Sequence, residues 1–226
     1  MCGLVGVVAI DRTLGSEVLQ NLLRLSAVRG LHATGVAWAT GDSVLADVRG
    51  VPASEYCSRM PIFETKNLIA IGHCRYSTSG GKQHQPIVNV ANDLAIAHNG
   101  VVSQEPAVEW DNLYGLQART DNDSELLLHS RERNSHPLSS WPDASIAAVE
   151  VDKSGALRAY RNGKRPLYLA SLPGLVAVAS TKDILLRAGI SGAMRIHAGS
   201  EATVRLTKGV ISVEYHRVAE LSEWCP

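Results

Sequence analysis

The sequence predicts an α+β fold, a sandwich of stacked sheets with helices on the outside. Short apolar runs of strand length recur along the whole chain. Only three or four stretches carry apolar residues at helical spacing, and the C-terminal half is mostly strands. Residues 4–10 form an apolar run that reads as a buried strand beginning almost at the first residue. Ser16 is placed to cap a helix over 17–28, where Val18, Leu19, Leu22, Leu23 and Ala27 share one face. Residues 34–40 and 43–48 read as strands around a turn at Gly41-Asp42, and 67–72 as a further strand. Residues 93–98 form another strand, ending at Asn99-Gly100. Leu126, Leu127 and Leu128 mark a helix over 124–133. Strands follow near 145–151, 156–161, 166–171, 174–180, 196–198, 201–206 and 210–216, with a short helix at 182–188.

The chain has 226 residues, enough for one domain with a real core, and no internal repeat or long linker divides it. Lys and Arg total 22, as do Asp and Glu, so the net charge is zero. That balance removes the electrostatic reason to propose nucleic acid or an anionic membrane as main partner. No apolar run approaches the roughly 18 residues of a membrane span. MCGLVGVVAIDR lacks the positive start of a signal peptide. Cys2, Cys57, Cys74 and Cys225 form no compact metal spacing and the eight histidines are scattered, so reduced thiols, a cytoplasmic setting and no metal are expected.

Cys2 is the first chemical clue. Once Met1 is removed, this residue carries a free α-amine beside its own thiol. The reference pKa of an α-amine is about 7.7–8.0 and that of a thiol about 8.5. Roughly a tenth or more of the amine is then unprotonated at neutral pH, against about 3% of the thiol ionised. One residue holds nucleophile and base together; with Met1 retained the nitrogen is an amide and holds no base. Three clusters supply what such a nucleophile needs. In GHCRYSTSG, residues 72–80, Arg75 offers a planar fork for a carboxylate and Thr78 and Ser79 offer hydroxyls; a surface turn with an ion-paired Arg is the plainer reading. In AHNG, residues 97–100, the Asn99 amide and the Gly100 N–H suit an oxyanion hole, although Asn-Gly is also a common hairpin turn. In TDNDSE, residues 120–125, Asp121 or Asp123 suits a substrate ammonium, or caps the helix that follows. Arg29, in RGLHATG, orients the nucleophile or closes the first helix.

The order Cys2, Arg29, GHCRYSTSG, AHNG, TDNDSE resembles the class II glutamine amidotransferases, N-terminal nucleophile hydrolases that include the glutaminase domains of amidophosphoribosyltransferase and glucosamine-6-phosphate synthase. MCGLVGVVA is similar to the family's opening Cys-Gly-x-x-Gly strand, QHQP at 83–86 to its Asn-Ala-Gln-Pro stretch, and RNGKRPLYLA at 161–170 and VAVASTKDILL at 176–186 to its later segments. The resemblance implies a four-layer αββα sandwich of two stacked, mainly antiparallel sheets and a single glutaminase domain over 1–226, starting at Cys2 when mature. It implies L-glutamine as substrate, split to glutamate and ammonia through a γ-glutamyl thioester on Cys2, with no cofactor. Asn99 and Gly100 would hold the oxyanion and Arg29 would belong to the catalytic group. Arg75 would grip the substrate carboxylate with Thr78 beside it, Tyr76 and Ser79 would belong to the substrate-binding group, and Asp123 would take the ammonium. Tyr76 stands where some members have Trp, Ser79 where some have His, and Cys74 where others have Thr or Val. Residues 214–226 are only a short tail where members with synthetic roles carry an acceptor domain, so the ammonia is expected to pass to a separate synthase. Two alternatives stand beside this reading: an amidase of the same fold acting on another γ-glutamyl amide, and an inactive binding module within a complex.

Overall fold

The structure is a computed structural model and describes residues 1–76 and 84–221. The described chain runs β1 (Gly3–Ala9), α1 (Arg12–Ser26), β2 (Ala33–Ala39), β3 (Val44–Arg49), α2 (Ala53–Tyr56), β4 (Leu68–Arg75), β5 (Ile87–Val88), β6 (Leu94–Val101), α3 (Trp110–Tyr114) and α4 (Ser124–Glu132). It continues through α5 (Pro137–Ser140), β7 (Ser145–Asp152), β8 (Leu157–Arg161), β9 (Tyr168–Leu172), β10 (Leu175–Ala179), α6 (Lys182–Arg187), β11 (Met194–Arg195), β12 (Ser200–Thr207) and β13 (Val210–Arg217). One sheet has the order β11-β9-β10-β1-β4-β2-β3, the other β13-β12-β8-β7-β6-β5. Every pairing among the described residues is antiparallel.

Alternation along the strands builds the layers. Val5 and Val7 of β1, with Leu68 and Ala70 of β4, pack against Leu19, Leu22 and Leu23 of α1 and Ile184 and Leu185 of α6. Their neighbours Leu4, Val8, Ile69 and Ile71 turn the other way and meet Ala95 and Ala97 of β6 and Val149 and Val151 of β7. Ile96, Ile146 and Ala148 face outward beneath Leu127 and Leu128 of α4. Helix, sheet, sheet, helix is thus the order, the four-layer arrangement expected from the resemblance.

Three local expectations are corrected. Helix α1 starts earlier than Ser16 because Asp11, just past β1, accepts the Leu14 N–H at 2.8 Å. Ser16 lies inside the helix and donates its hydroxyl back to the Arg12 carbonyl at 2.8 Å. Residues 196–198 form no strand; the ladder is confined to Met194–Arg195, and Arg161 Nη1 donates to the Ile196 carbonyl at 2.9 Å. The strand expected to end at Asn99-Gly100 runs through both to Val101, so this Asn-Gly is no hairpin turn. The short helices α2, α3 and α5 have no long apolar period and carried no signal of their own. Among the described residues no helix is long and apolar enough to cross a membrane.

Beneath α4 lies a buried ionic cluster. Arg131 Nε donates to both oxygens of Glu150 at 3.1 and 3.0 Å, and Arg131 also pairs with Glu201. His136 lies 3.0 Å from Glu201, and Tyr160 donates to Glu150 at 2.5 Å. Burial opposes ionisation of Glu201, but the His136 hydrogen bond and the Arg131 guanidinium outweigh it and bring its pKa from 4.5 down to about 2. A depressed carboxylate stabilises the fold above its unfolded pKa and loses that contribution as pH falls. Thermal melts should therefore fall between about pH 4.5 and 2 in the wild type. Glu201→Gln should flatten that part of the acid limb, and an unchanged limb would remove Glu201 as its source.

Candidate active site

The sheet alternation that makes the core also assembles a polar centre at one end of it. Cys2 continues the phase of Leu4, Arg75 that of Ile69 and Ile71, and Asn99 that of Ala97, so all three belong to the inner faces of the two sheets. The Cys2 backbone nitrogen donates to Asn99 Oδ1 at 3.2 Å, and Cys2 Sγ lies 3.8 Å from the Tyr76 carbonyl. Arg29 leaves the turn after α1 and donates from Nε to the Cys2 carbonyl at 2.9 Å. Burial lowers the Arg29 pKa, an effect the nearby Cys2 opposes and Arg165 reinforces. Gly30 lets this turn lie on the end of β4, since a Cβ there would run into the backbone of Cys74 and Arg75.

Asn99 is almost fully buried, and its Nδ2 is a buried donor for which the described residues offer no acceptor. An unused buried amide is costly unless a ligand or water takes it. Gly100 stands at φ 151°, a conformation that favours glycine, and a Cβ would overlap the Ser145 carbonyl. Its N–H direction follows from the ladder. Ile146, opposite Gly100, turns its own N–H and C=O toward Asn162. Gly100 therefore points away from β7, on the same side as His98 two residues earlier. There β5 reaches only as far as Ile96, and the Gln85 side chain receives the His98 N–H. The Gly100 N–H therefore faces this open edge, while the buried Asn99 side chain, in phase with Ala97, belongs to the inner face of the sheet.

A cavity of about 130 Å³ lies here, bounded by Cys2, Arg75, Tyr76, Gly100 and Asp123 among others. Asp123 does not cap α4 with its side chain; Asn122 Oδ1 takes the Ser124 N–H at 3.1 Å instead. The Asp123 carboxylate accepts the Val102 N–H at 2.6 Å, which fixes it beside the strand that carries Gly100. Tyr76 stacks on His32 with ring centroids 5.2 Å apart. Behind Arg75, His73 is fully buried; burial first and the Arg75 charge second push its pKa down to about 3, so Arg75 is the cation of this strand end. A groove of about 560 Å³ over Arg131 is larger, but its charges pair with one another, Arg131 with Glu150 and Arg158 with Asp152. Among the described residues no group of three or more His, Cys, Asp or Glu side chains gathers as metal ligands would.

The structure thus brings Cys2, Arg29, Arg75, Tyr76, Asn99, Gly100 and Asp123 together, while Thr78 and Ser79 lie outside the described residues. Sequence reasoning assigned no role to Gln85, His98 or Glu125. His98 and Glu125 stand inside motifs whose neighbours carry the expected roles, and Gln85 stands in a stretch that carries only the resemblance. Glu125 is buried and accepts the N–H groups of Arg119 and Thr120 and the Thr120 hydroxyl, holding the loop that leads to Asp123.

The sequence pattern of the glutamine amidotransferase domain matches residues 73–187, just over half the chain. The chain belongs to this family. The amidotransferase domain is 28% identical over 165 residues to the glutamine–fructose-6-phosphate aminotransferase of Chlorobaculum tepidum, covering 70% of this chain and 25% of that one. To the enzyme of that name from Halobacterium salinarum it is 26% identical over 235 residues, covering 99% of this chain and 35% of that one. The chain therefore spans a quarter to about a third of the length of these relatives. The glutamine phosphoribosylpyrophosphate amidotransferase of B. subtilis superposes with a TM-score of 0.78 at 22% identity, over 97% of this chain and 50% of that one. The fold is that of the N-terminal nucleophile hydrolases, and the family is that of the class II glutamine amidotransferases, enzymes of glutamine amide hydrolysis.

Proposed function

We propose that residues 1–226 form one glutaminase domain that hydrolyses L-glutamine through a γ-glutamyl thioester on Cys2 and passes the ammonia to a synthase centre carried elsewhere. The observation that carries this reading is the 3.2 Å contact between the Cys2 nitrogen and Asn99, whose own amide donor is buried and has no acceptor among the described residues. Removal of Met1 converts that nitrogen into an amine. One of its hydrogens stays on Asn99 Oδ1, and its lone pair accepts the thiol proton as Sγ attacks the substrate Cδ. The carbonyl electrons move onto oxygen, and Asn99 Nδ2 and the Gly100 N–H hold that charge. Collapse of the adduct breaks the C–N bond, and the proton on the amine leaves with nitrogen as ammonia. Water then attacks the thioester, the amine takes its proton, and the thiolate departs and is reprotonated, leaving glutamate.

Arg29 holds the Cys2 carbonyl and so fixes the residue that carries both reacting groups. Arg75 and Asp123 face the same small cavity with opposite charges, which suits the carboxylate and ammonium of a free amino acid. The named relatives are transferases that take nitrogen from glutamine, which supports an acceptor for the ammonia.

Glutamate release by the purified chain, measured with its intact mass, tests the reading. Turnover by a chain lacking Met1 supports it; full-rate turnover by a chain retaining Met1 overturns the shared thiol–amine chemistry. A panel of γ-glutamyl amides with bulky leaving groups tests the substrate, and preference for one of them over glutamine would displace glutamine. Arg75→Lys should raise KM by roughly tenfold with little change in kcat, since an ammonium cannot reproduce the fork. Unchanged KM would remove Arg75 from the carboxylate.

A further inference from the structure

His98 is a buried titratable group that borders the cavity beside Gly100 and for which the proposed chemistry has no use. Its main-chain N–H goes to Gln85 Oε1. Its ring lies between two elements: Nε2 is 2.9 Å from the Ser145 carbonyl and Nδ1 is 3.1 Å from the Ser124 hydroxyl. A carbonyl only accepts, so Nε2 carries the hydrogen. Burial lowers the pKa of the ring, which is then neutral at neutral pH, and Nδ1 accepts the Ser124 O–H. The ring is thereby fixed in one tautomer and one orientation.

The position of that ring bears on the oxyanion donors. Nε2 would lie only 2.8 Å from a Cβ placed on Gly100, and the Ser145 carbonyl it holds is the group a Gly100 side chain would overlap. The Gly100 backbone is therefore bounded on one side by His98 and the carbonyl His98 holds. Ser124, the other end of the link, directly follows Asp123, and Asp123 in turn holds the Val102 N–H two residues beyond Gly100. The segment from His98 to Val102 is tied to the start of α4 at both ends.

We infer that His98 is a positioning residue: through Ser145 and Ser124 its ring fixes the Gly100 N–H in the direction an oxyanion requires. This rests on the reading of Gly100 as an oxyanion donor. An oxyanion donor acts on the transition state far more than on bound glutamine, so a displaced Gly100 N–H lowers kcat and leaves KM nearly unchanged. A ring that served only to fill the core would instead show its loss as reduced stability, with the active fraction turning over normally.

The test is steady-state glutaminase kinetics on His98→Leu, His98→Gln and Ser124→Ala, with thermal melts alongside. His98→Leu keeps the bulk and removes both hydrogen bonds; kcat is expected to fall about tenfold or more at unchanged KM. His98→Gln can again offer an N–H to Ser145 and should recover part of that loss. Ser124→Ala should lower kcat about threefold or more, and combined with His98→Leu it should add nothing further, as expected for partners in one link. If His98→Leu does not fold, Ser124→Ala decides: unchanged kcat overturns the inference and a lowered kcat at unchanged KM supports it. Wild-type kcat in folded His98→Leu, or a change confined to KM, overturns it as well. A wild-type chain that releases no glutamate refutes the glutaminase reading instead, so the two failures are told apart.

Discussion

Cys2→Ala is expected to abolish glutamate release while the fold persists. The variant keeps the α-amine and loses the sulfur, so base remains without nucleophile. Loss of a covalent nucleophile lowers kcat by about four orders of magnitude or more. The change is cheap for the fold, because the only hydrogen bond found for Cys2 Sγ among the described residues is the long one to the Tyr76 carbonyl, and Gly3–Ala9 pairs with β4 and β10 through backbone. A glutamine-like electrophile followed by intact-mass measurement supplies the second readout: one adduct more on the wild type than on the variant, so that any reaction at Cys225, outside the described residues, is common to both. Cys57 and Cys74 do not compete, since burial raises the pKa of both thiols, that of Cys74 to about 12. Wild-type rates from Cys2→Ala would remove the nucleophile.

Asn99→Ala is expected to cost on the order of 2.7–4 kcal/mol in transition-state stabilisation, a fall of about 10²–10³ in kcat. Asn99 has two tasks, and they can be separated. Its Oδ1 holds the Cys2 nitrogen at 3.2 Å, while its Nδ2 is the free buried donor. Asn99→Asp retains an acceptor for the nitrogen but puts a second oxygen where the oxyanion forms. It should therefore lose at least as much kcat as Asn99→Ala, whereas a role limited to orienting Cys2 would leave Asn99→Asp active. A rise in KM at unchanged kcat for either variant would assign Asn99 to binding.

Much of the layer structure was legible because strand alternation and the spacing of Leu19, Leu22 and Leu23 record directly which face is buried. Asp11 is not legible as the cap of α1 because Ser16 stands closer to the apolar stripe, and propensity says nothing about where β1 releases the chain. Past Arg195 the Ile196 carbonyl is held by Arg161, a side chain 35 residues away, rather than by a neighbouring strand. No local pattern contains that contact.

For the site, the chain on its own determined the chemical kit. A thiol that can share its residue with an amine, an amide next to a glycine, an arginine and a carboxylate are properties of residue type, and their order carried the family resemblance. Only the tertiary structure decided what those groups do to one another. Asn-Gly reads equally well as a turn until β7 lies beside it and shows both residues within a strand. Asp123 reads as a helix cap until Val102 takes its carboxylate. His98 reads as one residue of a motif until Ser124 and Ser145, 26 and 47 positions along the chain, close on its ring. The physical reason is common to all three. A group's donors and acceptors are fixed by its covalent structure, but which of them remain for a substrate depends on what the rest of the folded chain has already taken.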